Sequence, residues 1–187
     1  MRKVRLLVAA IALGTLAVPP MAEAKTRPQT VRFTVPFDDE GSMPYGIHQC
    51  GVERMGVCDV KFDGHTTLRG DGWVTFADYF GHGHGDPMTR KFYGESWDRH
   101  TGSVKGCGSG SFVMQQRIVG DFNTYDPVKG TYRLDIEWTI LPGSGSGDFT
   151  DATGEGTAEG QATLQFANKG SYTGSITCPR GKAVASR

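Results

Sequence analysis

The chain has 187 residues, 20 basic and 20 acidic side chains that balance to a net charge of zero, 37% hydrophobic residues and 27 glycines. A neutral chain lacks the basic footprint of a nucleic-acid binder, so no nucleic-acid partner is expected. The composition fits a turn-rich β fold better than a helical bundle or a disordered segment, and the length suits one domain.

The N-terminus places basic Arg2, Lys3 and Arg5 before an apolar run from Leu6 to Val18, followed by Pro19-Pro20-Met21-Ala22-Glu23-Ala24. That order is read as a secretory signal peptide over residues 1–24, with an Ala-x-Ala cleavage site after Ala24. The apolar run is too short to cross a bilayer and ends in a helix-breaking proline pair. No second run of spanning length follows. The expectation is a secreted protein without a membrane span once the leader is removed, with residues 25–187 forming a single β-barrel domain. Cleavage takes away three of the 20 basic and one of the 20 acidic residues, leaving 17 against 19.

Segments of period two then follow one another, each ended by Gly, Asp, Asn or Pro, as in a meandering antiparallel sheet. They lie near residues 30–37, 57–62, 66–80, 88–97, 110–120, 131–141, 155–166 and 171–178. The alternation is cleanest where Tyr132, Leu134, Ile136, Trp138 and Ile140 interleave with Arg133, Asp135, Glu137 and Thr139. One face there is apolar and the other polar, which marks a half-buried strand. Asp63-Gly64 and Asn168-Lys169-Gly170 are read as hairpin turns. Eight such strands can close on themselves and bury the apolar face, which removes exposed edges. The predicted fold is all-β, an antiparallel up-and-down barrel of about eight strands; a two-sheet sandwich is the alternative.

Cys50, Cys58, Cys107 and Cys178 are even in number and all lie beyond the leader, so an oxidising compartment makes two disulfides the expected state. The predicted pairs are Cys50 with Cys58, closing a short loop, and Cys107 with Cys178, joining the start of one strand to the end of the last.

Gly110-Ser111-Phe112-Val113-Met114-Gln115-Gln116, then Ile140-Leu141-Pro142-Gly143-Ser144-Gly145-Ser146-Gly147-Asp148-Phe149, then Gly154-Glu155-Gly156-Thr157, stand in an order and at a separation that resemble a bacterial family known only as a domain of unknown function. Members of that family are small lipocalin-like β-barrels, related in architecture to plant allene oxide cyclases and dirigent proteins. The G-x-G-x-F turn of those proteins is similar to Gly145-Ser146-Gly147-Asp148-Phe149 here. The likeness runs from about Val31 to Ile176; it implies a barrel and transfers no catalytic residue. The cysteines, the stretch from Asp38 to Gly56 and the stretch Gly81-His82-Gly83-His84-Gly85-Asp86 depart from the family pattern. Physically, the glycines of the turn let the chain reverse over the barrel rim while Phe149 returns to plug its end.

His82, His84 and Asp86 are spaced two apart, so in an extended segment all three point the same way and are weak candidates for a metal site. An exposed glycine-rich loop explains them as well, a fourth ligand is not fixed by the sequence, and no metal or cofactor is expected. Glu95, Asp98, Asp135, Glu137 and Glu155 lie on or beside strands. Asp135 and Glu137 fall on the polar face opposite Trp138. Glu95 shares a face with Tyr93 and Trp97, which makes it the weak catalytic candidate if that face is inward. No Gly-x-Ser-x-Gly elbow lies between a strand and a helix.

Phe112, Met114, Leu134, Ile136, Trp138, Leu164, Phe166 and Ile176 are expected to line the interior. Ala162 and Gly174 among them should leave room for a small apolar ligand. The expected function is binding of such a ligand. The alternatives are a filled barrel that acts through its outer surface, and an allene-oxide-cyclase-like isomerase or cyclase.

Overall fold

The structure, a computed structural model, describes residues 28–39, 59–70, 72–86, 88–163 and 168–179. The period-two segments become nine strands: β1 (Gln29–Asp39), β2 (Asp59–Gly70), β3 (Trp73–Asp86), β4 (Lys91–Val104), β5 (Gly108–Asp126), β6 (Thr131–Ile140), β7 (Ser146–Gly147), β8 (Thr153–Thr163) and β9 (Asn168–Cys178). All pairings are antiparallel. Each long strand pairs with the next, β8 pairs with β6 past the two-residue β7, and β1 pairs with both β2 and β9. The hydrogen-bonded strands therefore form a closed ring, and the fold is all-β and barrel-like, as its sequence pattern predicts. No helix occurs among the described residues.

Hydrophobic burial sets the inward face. In β6, Tyr132, Leu134, Ile136, Trp138 and Ile140 are buried, while Arg133, Glu137 and Thr139 between them are exposed. Phe112 and Met114 of β5 and Ile176 of β9 join the same core. Leu164 and Phe166, expected in the interior, lie outside the described residues, as do the leader over 1–24 and the Cys50 and Cys58 pair.

Cys107 and Cys178 form the predicted disulfide, with Cα atoms 5.6 Å apart. It joins the turn after β4 to the end of β9, and both cysteines are buried. The same end of the barrel is closed as the glycine-rich turn predicts. Phe149 is buried and meets Phe112 edge-on at 5.1 Å, and Gly147 takes the left-handed φ of 63° that the reversal needs.

Three turn assignments are corrected. Asp63-Gly64 lies within β2, paired with Phe80 and Tyr79 of β3, and the chain reverses instead at Gly72, whose φ is 72°. Asn168-Lys169-Gly170 opens β9 rather than preceding it, and pairs with residues 160–162 of β8. The stretch from Gly81 to Asp86 is the second half of β3, paired with β4 throughout and with β2 as far as His84, and not an exposed loop. In each case a glycine that resembles a turn signal is held by cross-strand pairing, because sheet hydrogen bonds outweigh a local preference.

Candidate functional site

β4 presents an unusual face to the interior. Phe92, Gly94, Ser96, Asp98 and His100 are buried, while Tyr93, Glu95 and Trp97 lie on the outer side and are only partly covered. Beyond Phe92, polar side chains thus point in while Tyr93 and Trp97 point out, the reverse of hydrophobic patterning. Glu95 does not reach the interior, and the inward carboxylate is Asp98.

Asp98 accepts from Ser96 and Gln116. Ser96 Oγ, on the same face of β4, donates to Oδ1 at 2.8 Å, and Gln116 Nε2, on adjacent β5, donates to Oδ2 at 2.5 Å. Gln116 Nε2 also donates to the Tyr172 hydroxyl of β9 at 2.8 Å. The cluster therefore bridges from β4 and β5 to β9 through the barrel interior. Its members are almost wholly buried: Ser96, Asp98 and Gln116 are 2–3% exposed. Burying such groups is unfavourable unless they are hydrogen-bonded, and here they are bonded to one another.

The cluster lines an interior cavity of about 50 Å³, together with Thr66, Tyr132, Leu134 and Ile136. At roughly 10–15 Å³ for each water this is room for a few waters, well below the roughly 300–1,000 Å³ of a drug-sized ligand site. The cavity expectation is thus corrected in size and in chemistry. Leu134 and Ile136 line it as expected. Phe112, Met114, Trp138 and Ile176 pack in the core away from it. The space expected beside Gly174 is filled by the Trp138 ring. Burial drives the Tyr132 hydroxyl well above its ordinary ionisation range, so it stays protonated.

His100 lies farther along the inward face of β4. Its ring stacks on Phe112 at 5.3 Å, and its Nε2 has no hydrogen-bond partner among the described residues. Desolvation pushes its pKa down from 6.5 to about 3, so the imidazole is neutral in the folded protein at ordinary pH.

The metal candidates make different contacts. His82 and His84 point outward from β3 and share a broad outer groove with Tyr93 and Glu95. His82 packs against Trp97 and His84 against Tyr93, at ring distances of 5.8 and 5.9 Å. Asp86 instead organises the following turn. It accepts from the Thr89 hydroxyl at 2.7 Å and the Met88 amide at 2.9 Å, and those bonds lower its pKa, the Thr89 hydroxyl most. Among the described residues, no group of three or more His, Cys, Asp or Glu side chains is placed to hold a metal ion.

A scan against protein-family models finds no match, and a search of curated proteins finds none.

Proposed function

We propose that this is an exported barrel that binds a small molecule in its interior, with Asp98, Gln116 and Tyr172 as the polar anchor. The observation that carries the reading is the buried Asp98, bonded to Ser96 and Gln116 at the wall of a cavity. A barrel needs no carboxylate in its core to fold, and a buried polar group is most easily explained by something it recognises. The resemblance to lipocalin-like barrels and the buried disulfide support an extracellular carrier of this kind. Thermal melting against a panel of small hydrogen-bonding molecules tests the reading. A rise in Tm in the wild type that is absent in Gln116→Leu supports interior binding, and a panel that shifts both proteins equally contradicts it.

The surface reading has its own observation. On the outside of β3, Phe76 and Phe80 are 42% and 62% exposed, and Phe80 stacks on Trp97 at 5.5 Å. An exposed aromatic row of this kind suits contact with another molecule. The cyclase-like reading has a buried carboxylate in Asp98, but about 50 Å³ admits no substrate of more than a few atoms.

A further inference from the structure

Behind the rings of Phe62, Phe92 and Tyr132, which line the cavity, four inward positions carry no side chain. Gly81 and Gly83 of β3, Gly94 of β4 and Gly120 of β5 all face the barrel interior. Aromatic rings stand in the vacated space. A β-carbon at Gly81 would run into the Phe62 ring and one at Gly83 into the Phe92 ring. One at Gly94 would stand 2.8 Å from Phe92 Cε1, and one at Gly120 2.8 Å from Tyr132 Cε2. Phe62 and Phe92 are themselves neighbours, with centroids 6.4 Å apart. The glycines thus let these rings lie flat against the strands, and the rings, not the backbone, set how much of the interior stays open.

The polar groups around that opening are not all used. Gln116 donates to Asp98 and Tyr172, and its Oε1 accepts no hydrogen bond among the described residues. The hydroxyls of Thr66 and Tyr132 also line the cavity, both residues are at least 96% buried, and neither hydroxyl has a partner among the described residues. A guest that cannot hydrogen-bond would leave these groups unsatisfied, whereas one that both donates and accepts would satisfy them. An ion would lose its hydration against walls formed by Phe37, Leu134 and Ile136.

We infer that the interior site takes a neutral hydrogen-bonding guest of only a few non-hydrogen atoms, a small amide or alcohol, and that Phe92 sets this size limit. The inference rests on the interior-binding reading above and specifies its ligand. Removing the Phe92 ring joins its space to the existing 50 Å³. A cavity of about 150 Å³ lined by apolar side chains is large enough to hold benzene.

Acetamide and benzene are titrated into the wild type and Phe92→Ala, with backbone and side-chain amide signals followed by NMR and the fold of each protein checked by circular dichroism. If Phe92→Ala does not fold, Phe92→Leu takes its place. The expected result is saturable acetamide shifts at Thr66, Gln116 and Tyr132 of the wild type, no benzene binding there, and benzene binding at least tenfold tighter in the variant. Wild type that takes benzene as readily as the variant overturns the size limit and leaves interior binding standing. Benzene entering the variant while acetamide is silent in the wild type overturns the polar-guest assignment. If neither probe enters either protein, interior binding itself fails, and this inference with it.

Discussion

Trp138 lies over Gly174, so close that a β-carbon on that glycine would fall inside the contact distance of ring atom Cζ2. Gly156 of the neighbouring strand completes the seat, where a β-carbon would stand 2.7 Å from the same atom. The indole is buried and anchored by its Nε1, which donates to the Thr157 carbonyl at 3.2 Å. Gly174→Val should therefore destabilise the fold by about 1–3 kcal/mol, the usual range for overpacking a filled core. Urea unfolding measures it; an unchanged midpoint would show that the tryptophan has room to move.

The Cys107–Cys178 disulfide spans 71 residues of sequence. On the loop-entropy account, a cross-link of that span stabilises by about 4 kcal/mol. Replacing both cysteines by alanine should lower stability by roughly that amount in denaturant unfolding. A loss below about 1 kcal/mol would mean that this end of the barrel is held by Phe149 and its neighbours without the bond.

Acid should weaken the fold through His100. Unfolded, its imidazole binds a proton near 6.5; folded, only near 3. Between those values the unfolded chain holds more protons, so stability falls as pH falls, by at most about 1.4 kcal/mol per pH unit. His100→Phe, which keeps a ring against Phe112, should flatten the dependence between pH 6 and about 4. Equal slopes in the two proteins would show that the imidazole is not buried uncharged. Asp86 and Asp126, whose pKa values are lowered chiefly by the Thr89 hydroxyl and the Lys129 amide, act below that window, where their protonation also disfavours the fold.

Removing the carboxylate should be costly for its donors. Asp98→Ala leaves Ser96 Oγ and a Gln116 amide hydrogen without their acceptor, at about 1–3 kcal/mol in chemical unfolding. A variant as stable as the wild type would show that both donors find other partners.

Strands whose apolar and polar residues alternate strictly could be read from the chain, because side-chain direction has a period of two. β6 matches its predicted span to within a residue. The boundary between β2 and β3 could not, since Asp63-Gly64 resembles a hairpin and only cross-strand pairing places Gly64 opposite Tyr79. The site was hidden for a related reason. In β4 hydrophobicity favours Tyr93 and Trp97 as the inward pair, and Glu95 goes with them. The parity that places Asp98 inside runs through Phe92 and Val104, both buried at the ends of that strand. Gln116 follows Phe112 and Met114, and Tyr172 precedes Ile176, in the period of two that turns them inward, but a lone amide and a lone phenol become a site only when closure of the ring brings β5 and β9 to face each other.

On the interior-binding proposal, recognition takes place inside the barrel and not on the aromatic row outside it. The most direct measurement maps by NMR the amide signals that move during titration with acetamide. Interior binding predicts saturable shifts centred on the Gln116 side-chain amide, lost in Gln116→Leu, with the signals of Phe80 and Trp97 unmoved. Shifts confined to Phe80, Trp97 and their outer neighbours, and unaffected by Gln116→Leu, would contradict it.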